Sequence, residues 1–215
     1  MCNAYGTIGY SRRSLIHDIL GIPRGHLGED ELRVVRPTDN VDTIKFVAEG
    51  ASGYFEAEQM RWGFIPNWSE TMPSRPLTNA RSETVATLPS FRNSFRSKRC
   101  ILPASEFYEW TGTGKRKRRV TFQPSASLKL FAFAGLWDVW KREERSIQSC
   151  TLITVSANSV VLPTHNRMPV ILQPAEIKLW LDPGTSQEAL MKLLAPLSDD
   201  LIAEVPPPMQ ENTLF

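Results

Sequence analysis

Short runs of apolar or alternating residues fill the middle of the chain, and turn-forming residues separate them. Runs of this length, rich in β-branched and aromatic residues, are typical of β-strands. Gly112 and Gly114, which precede a basic segment, predict a hairpin loop. The pattern as a whole predicts strands over residues 43–48, 55–64, 119–122, 130–137, 150–156 and 170–172.

Helical spacing of apolar positions occurs in three segments: residues 10–20, 174–181 and 186–194. Ser11 is a candidate N-cap for the first helix, and Pro174 opens the second near its N1 position. Strands outnumber helices and follow one another without a regular βαβ alternation. This order predicts an α+β fold, built on a curved, barrel-like, mainly antiparallel sheet with peripheral helices.

The composition fits one domain. A chain of 215 residues, 41% hydrophobic and 22% charged, can bury a core of its own. We expect that domain over residues 1–205, followed by a loose tail over 206–215. No apolar run approaches the roughly 20 residues of a membrane span, and the N-terminal segment lacks the apolar stretch of a signal peptide. We therefore expect a cytoplasmic monomer.

Basic residues are clustered although the net charge is only +2. Residues 115–119 read KRKRR, and Arg92, Arg96, Lys98 and Arg99 form a second group. Local basic patches on a nearly neutral protein fit a groove for an anionic ligand such as nucleic acid. A solvated hairpin tip and a solvated helix face explain them equally well, and charge alone does not decide.

The three cysteines are scattered along the chain. Cys2, Cys100 and Cys150 are odd in number and show neither a disulfide framework nor a CxxC metal pair. The three histidines add no ligand spacing, so we expect neither a metal nor a cofactor. Cys100 and Cys150 lie in apolar runs, which favours buried thiols.

Cys2 differs because of its position. Methionine is generally removed when a small residue follows it, and its removal here would leave an α-amine and a thiol on adjacent carbons. The amine, with a reference pKa of about 7.7–8.0, is substantially neutral at physiological pH and condenses with an aldehyde to an imine. The thiolate then closes a five-membered thiazolidine in an intramolecular step. The alternative is that cysteine stands at position 2 by accident.

Six segments of the chain form a recognisable series: MCN at the start, RWGFIPNW at 61–68, TNARSET at 78–84, RCILPASEFYEW at 99–110, FAFAGLWDVW at 131–140 and THNRMPVIL at 164–172. In this order they resemble the SRAP family, the SOS response-associated peptidases that process abasic sites. The resemblance implies the SRAP fold and covalent capture of the abasic-site aldehyde as a thiazolidine. It also implies self-processing that frees Cys2, and a catalytic set of Cys2, Asn79, Glu109 and His165.

The side chains of that set suit the chemistry. Asn79 offers an uncharged donor and acceptor for the amine or the sugar, although it can also cap a turn. Glu109 lies among aromatic residues, where desolvation raises a carboxyl pKa and allows proton transfer near neutrality. The alternation of the strand favours instead an outward-facing glutamate. His165, in a predicted loop, is a natural acid or base at this pH.

We predict the DNA contacts from residue type and from closeness in sequence to the catalytic set. Arginine suits phosphate groups, and we assign this role to Arg81 and Arg167. Exposed tryptophan can stack on bases, a role that we assign to Trp68 and Trp110. An apolar wedge can keep a strand splayed, and we assign it to Pro66 and Met168. Trp62, Trp137 and Trp140 are expected to be buried instead. When bound to DNA, the protein would be associated with the nucleoid.

Two features depart from the family pattern. Many relatives begin MCGR, whereas this chain begins MCNA, so that Ala4 stands where an arginine would contact phosphate. The YNxAP stretch is also missing, and VVRPTD at 34–39 is its nearest counterpart. Arg36, within that segment, can restore part of the positive charge.

Three functions are consistent with the sequence. The first is an abasic-site processing protein that binds single-stranded DNA, forms a DNA–protein crosslink through Cys2 and has lyase-type and self-processing peptidase activity. The second is an N-terminal-nucleophile cysteine peptidase or hydrolase, with His165 as base and Asn79 in an oxyanion hole. The third is a non-catalytic module that binds single strands through basic and aromatic residues.

Overall fold

The computed structural model of the chain describes residues 3–7, 20, 33–49, 52–126, 128 and 130–205. The helices of the described residues are α1 (Arg92–Ser97), α2 (Pro174–Leu181) and α3 (Gln187–Leu193). The strands are β1 (Tyr5–Gly6), β2 (Val34–Val35), β3 (Asn40–Glu49), β4 (Ser52–Trp62), β5 (Asn79–Arg81), β6 (Arg99–Ala104), β7 (Glu106–Thr111), β8 (Arg118–Pro124), β9 (Phe131–Arg142), β10 (Arg145–Ser156), β11 (Arg167–Pro169) and β12 (Ile202–Val205).

Five long strands close on one another to form a barrel. β3 pairs with β4 and β6, β6 with β9, and β9 with β10, all antiparallel. A parallel contact of β10 with β4 completes the ring. Short strands extend it at β10, where β5 pairs in parallel and β11 antiparallel. The barrel-like, mainly antiparallel α+β fold is therefore confirmed.

A second sheet, with the order β12-β8-β7-β1-β2, carries the N-terminal segment. Gly6 allows strand β1 to approach β7 closely, because a Cβ at this position would lie 2.7 Å from Cγ of Glu106. The Ser105 hydroxyl donates to the Thr7 carbonyl at 2.7 Å and fixes the end of β1. The first described residues are thus held against β7 by backbone pairing.

Aromatic side chains fill the space between the two sheets. Tyr5 packs edge-on against Trp62 and Phe133, at ring-centroid distances of 5.2 and 5.6 Å. Phe107 of β7 stacks on Phe122 of β8 at 5.0 Å and also contacts Phe133. Buried aromatic rings contribute large apolar areas and favour such tilted and offset pairs. The N-terminal strand is therefore part of the core.

The predicted strands are present, most of them longer than the pattern indicated. The last, over 170–172, lies just beyond β11 and is reduced to a single bridge between Ile171 and Phe133. The glycine-containing loop joins β7 to β8 as a hairpin. The predicted early helix lies outside the described residues except for Leu20, which is buried. The tail over 206–215 also lies outside them.

Local signals place both C-terminal helices. α2 begins at Pro174 with a capping box in which Glu176 reaches back to the Gln173 backbone N–H at 2.8 Å. α3 begins after Ser186, whose hydroxyl accepts from the Ala189 backbone at 3.2 Å. Among the described residues, no helix has the length and apolar character that a membrane span needs.

Candidate active site

The first described residues lie between β5 and β7. Oδ1 of Asn3 accepts from Nδ2 of Asn79 and from the hydroxyl of Thr78, both at 3.4 Å. The carbonyl of Ala4 accepts from the Tyr108 backbone N–H at 3.2 Å. Cys2, the predicted nucleophile, lies outside the described residues. Its neighbour Asn3 contacts Asn79, and Ala4 pairs with strand β7, which carries Glu109.

Asn79 is held at the start of β5 by contacts of the preceding residue, Thr78. Its Nδ2 donates to the Thr78 hydroxyl at 2.9 Å, and the Thr78 carbonyl accepts from the indole of Trp62 at 3.0 Å and from the Leu152 backbone at 3.1 Å. Strand β5 then pairs with β10, with Asn79 opposite Leu152. The amide of Asn79 is therefore positioned by the barrel wall.

Glu109 points into the protein. Its side chain lies on the same face of β7 as Phe107, and the residue is only 3% exposed. Burial raises the pKa of the Glu109 carboxyl, while the nearby His165 lowers it. The alternative of an outward-facing strand glutamate is wrong, because the β1–β7 pairing turns this face towards the core. A buried carboxyl with a raised pKa is suited to proton transfer.

His165 ends a single helical turn after β10, with its backbone N–H donating to the Val161 carbonyl at 3.0 Å. Nδ1 of the ring accepts from the Arg167 backbone N–H at 2.9 Å. The same nitrogen lies 3.2 Å from the Arg167 carbonyl oxygen. Because a backbone N–H can only donate, the shorter of the two contacts favours the neutral ring with its proton on Nε2. The charged form of His165 lowers the pKa of Glu109 electrostatically, in opposition to burial.

The two arginines differ in their surroundings. Arg81, at the end of β5, is exposed, and no acceptor for its guanidinium occurs in the described part of the chain. Arg167 is engaged by two residues: Nη1 and Nη2 donate to the carboxylate of Glu83 at 2.5 and 3.0 Å, and Nη2 also donates to the Thr154 carbonyl at 2.5 Å. Arg81 is therefore the more available cation.

The two tryptophans predicted to stack on bases both reach the surface. Trp68 is 55% exposed, and its indole N–H donates to the Pro89 carbonyl at 3.3 Å. Trp110 is half-buried at the end of β7, with Nζ of Lys117 5.8 Å from its ring centroid. Trp62 and Trp140 are buried as expected, and Trp137 is half-buried.

Pro66 and Met168, the predicted wedge, are both buried in this structure. Met168 is fully buried in β11, and its sulfur accepts from the Asn158 backbone at 3.4 Å. Pro66 is buried next to Ile65. Neither side chain presents a surface to a base, because β11 pairs with β10 and turns Met168 into the core. Leu162, three residues before His165 and 57% exposed, is the apolar side chain that does reach solvent here.

The two basic groups predicted from the sequence, residues 115–119 and 92–99, differ in their contacts. The guanidinium of Arg99 is buried and donates to four backbone carbonyls, and Lys98 pairs with Asp138 at 2.5 Å. This second group therefore stabilises the fold, with Arg92 and Arg96 exposed on α1. In the first group, residues 116–119 are exposed at the β7–β8 hairpin, where the guanidinium of Arg119 lies 4.4 Å from the Tyr108 ring centroid.

Sequence reasoning did not single out three polar residues of this region: Asn3, Thr78 and Glu83. All three lie inside or next to motifs that were recognised, but their roles depend on contacts between distant segments. Cys100 and Cys150 are buried as predicted, and burial raises the pKa of both thiols. Within the described residues, no group of three or more potential metal ligands occurs.

Comparisons with known proteins point to one family. Residues 29–207 match the model of the family described as SOS response associated peptidase (SRAP). The abasic site processing protein YoqW of Bacillus subtilis (strain 168) is 38% identical over 169 residues, which cover 77% of this chain and 74% of that protein. The abasic site processing protein HMCES of Xenopus tropicalis is 32% identical over 166 residues, 65% of this chain and 49% of that protein.

The fold is also found in solved structures. A crystal structure of a protein from Bacteroides thetaiotaomicron superposes with a TM-score of 0.77 at 25% identity, covering 94% of this chain and 90% of that one. A second, from Bordetella bronchiseptica, has the same TM-score at 24% identity and covers 94% of this chain and 98% of that one. Both share the architecture described above.

Proposed function

The chain belongs to the SRAP family, the SOS response associated peptidases, and on that premise we propose that it captures abasic sites in single-stranded DNA through Cys2. Several of its relatives carry the name abasic site processing protein. The observation that carries the proposal is the contact of Asn3, the residue after Cys2, with Asn79. Ala4 accepts a backbone hydrogen bond from Tyr108, which precedes the buried Glu109 on strand β7.

The reaction begins with the removal of Met1. Hydrolysis of the Met1–Cys2 peptide bond consumes one water, releases methionine and leaves a free α-amine on Cys2. The family description as a peptidase supports self-processing as the route. Among the recognised site residues, His165 and Asn79 are the groups available to activate the attacking nucleophile and to hold the developing oxyanion.

Capture of the lesion then takes two bond-forming steps. The amine of Cys2 adds to the C1′ aldehyde of the ring-opened abasic sugar, and loss of one water gives an imine. The Cys2 thiolate adds to the imine carbon, and the nitrogen takes up a proton to give a thiazolidine. No oxidant or reductant is needed. Only a cysteine with a free amine can close this ring.

Glu109 and His165 supply the proton transfers. A carboxyl whose pKa is raised by burial keeps its proton closer to neutrality, so Glu109 is suited to protonate the hydroxyl that leaves during imine formation. The neutral form of His165, protonated on Nε2, can donate to the sugar ring oxygen as it opens and can take the proton back in the reverse reaction.

Single-strand binding would use the exposed groups around this site. Arg81 offers a free guanidinium for a phosphate, and Trp68 offers an exposed ring for a base. Trp110 lies beside the basic hairpin that includes Lys117. Arg167 can offer only part of its guanidinium, because Glu83 occupies one edge. Stacking and phosphate contacts of this kind tolerate any base sequence.

The test is the intact mass of the purified protein after incubation with an oligonucleotide carrying one abasic site. We expect loss of Met1 and a covalent species equal to protein plus DNA minus one water. An oligonucleotide with a tetrahydrofuran analogue, which has no aldehyde, is the matched control. Cys2→Ala should give no stable adduct, although its α-amine can still form an imine that borohydride traps.

Three outcomes would contradict the proposal. A stable adduct with Cys2→Ala would exclude the thiazolidine. Turnover of a peptide without any DNA adduct would favour the N-terminal-nucleophile hydrolase. Equal affinity for intact and abasic strands without an adduct would favour a non-catalytic binding module.

A further inference from the structure

Glu83 and Arg167 form a two-point ion pair that joins the segment after β5 to the first residue of β11. Nη1 and Nη2 of Arg167 reach Oε1 and Oε2 of Glu83 at 2.5 and 3.0 Å. The hydrogen bond from Arg167 lowers the pKa of Glu83, and partial burial opposes that effect. Glu83 is half exposed, whereas the Arg167 side chain is only 14% exposed. The arginine is therefore held from the solvent side by a carboxylate.

The guanidinium of Arg167 also binds the barrel. Nη2 donates to the Thr154 carbonyl at 2.5 Å and lies 3.3 Å from the Thr154 hydroxyl. Of the five N–H hydrogens of an arginine, Glu83 and Thr154 together occupy three. The Nε hydrogen is buried and has no acceptor in the described part of the chain. At most one Nη1 hydrogen is left for a phosphate.

The same residue holds the imidazole of His165. The backbone N–H of Arg167 donates to Nδ1 of His165 at 2.9 Å. Arg167 begins β11, where it pairs with Ser156. The side chain of Arg167 thus anchors the strand whose first N–H orients the ring, and a continuous set of contacts runs from Glu83 through Arg167 to His165.

We propose that Glu83 is a positioning residue, which acts through Arg167 to hold His165 in the orientation and tautomer that proton transfer requires. The inference rests on the proposed function, since it assigns His165 its task in capture. It also separates the two arginines: Arg81 contacts the phosphate, and Arg167 orients the histidine. An ion pair with a half-exposed partner contributes little to global stability, so its loss affects local orientation rather than folding.

The experiment uses the full chain with Glu83→Ala and Glu83→Gln. The matched control is Glu188→Gln, which breaks an exposed ion pair with Lys192. Both residues lie on α3, distant in sequence from Glu83. Three quantities are measured for each protein: affinity for an intact single strand, the single-turnover rate of adduct formation with saturating abasic single strand, and the ¹⁵N chemical shifts of the His165 ring. A His165→Asn variant identifies the resonances of His165 among those of the three histidines.

A positioning role predicts that Glu83→Ala slows adduct formation about tenfold or more, because misplaced acid–base groups lose part of their contribution. Affinity for the intact strand should stay within about twofold of wild type, an effect below roughly 0.5 kcal/mol. The Nδ1 and Nε2 shifts of His165 should move towards a mixture of tautomers. Glu83→Gln should recover part of the rate, since its amide oxygen still accepts from Arg167. The control should behave as wild type.

Two results would overturn the inference. One is an unchanged rate and unchanged His165 shifts in Glu83→Ala. The other is a loss of affinity for the intact strand that accounts for the whole rate effect, which would make Glu83 and Arg167 part of the DNA contact. If the wild-type protein forms no adduct, the proposed function fails, whereas the His165 shifts still report whether Glu83 orients the ring.

Discussion

Nδ2 of Asn79 donates to Oδ1 of Asn3 at 3.4 Å, which joins strand β5 to the residue that follows Cys2. The contact is long for a hydrogen bond, but the Thr78 hydroxyl supports it by donating to the same oxygen. An amide at this point can align the N-terminal segment without adding charge. If Cys2 acts as proposed, its alignment depends on this contact with the barrel wall, and the dependence can be tested directly.

Replacement of Asn79 by Ala should slow adduct formation by up to about a hundredfold, because a small misplacement of a reacting group costs a rate factor of this order. The measurement is the single-turnover rate with an abasic single strand. Asn67→Ala, at an exposed position, is the control and should leave the rate unchanged. A wild-type rate in Asn79→Ala would remove Asn79 from the catalytic set.

Glu109→Gln should increase stability at neutral pH while it slows capture. Burial raises the pKa of Glu109 in the folded state. Its contribution to stability is therefore fully present below its unfolded-state pKa, and it is lost as the pH rises through the folded-state value. As the pH rises above the ordinary carboxyl range, ionisation of this buried group becomes a cost that glutamine does not carry. Urea unfolding at about pH 4 and pH 7 measures the free energy of unfolding of both proteins. The value for the variant minus that for wild type should be larger at about pH 7 than at about pH 4. An equal difference at the two pH values would contradict this account.

Trp68→Ala should weaken binding of an intact single strand by roughly five- to a hundredfold, the equivalent of about 1–3 kcal/mol for one stacked base. Because the side chain is exposed, unfolding should hardly change. Leu179→Ala, which removes another exposed apolar side chain, is the matched control. Fluorescence anisotropy with a labelled oligonucleotide measures both. Equal affinities of the two variants would exclude stacking on Trp68.

Met168→Ala should lower the free energy of unfolding by about 2–5 kcal/mol, the usual range for truncation of a fully buried side chain. Leu162→Ala, at an exposed position close in sequence, should change it by no more than about 0.5 kcal/mol. Chemical denaturation gives both values. A small effect of Met168→Ala would mean that Met168 is less well packed than its burial indicates, and would reopen its role as a wedge.

The two C-terminal helices could be predicted because their signals are local, whereas the short helix α1 was not predicted. Pro174 and Ser186 mark the starts of α2 and α3, and each acts on backbone groups within three residues. β6 was missed because it is buried on both faces and contains Pro103, so it shows neither alternation nor typical strand composition. β5 has only three residues and exists because β10 offers it a pairing edge.

The sequence by itself determined the fold class, the catalytic candidates and the burial of Cys100 and Cys150. Apolar patterning and motif order depend only on the order of residues, not on contacts between distant segments. The direction in which a strand side chain points was decided only in three dimensions. β7 turns Glu109 inwards through its pairing with β1, and β11 turns Met168 into the core through its pairing with β10. Such choices depend on register between distant segments, where a shift by one residue exchanges the two faces of a strand.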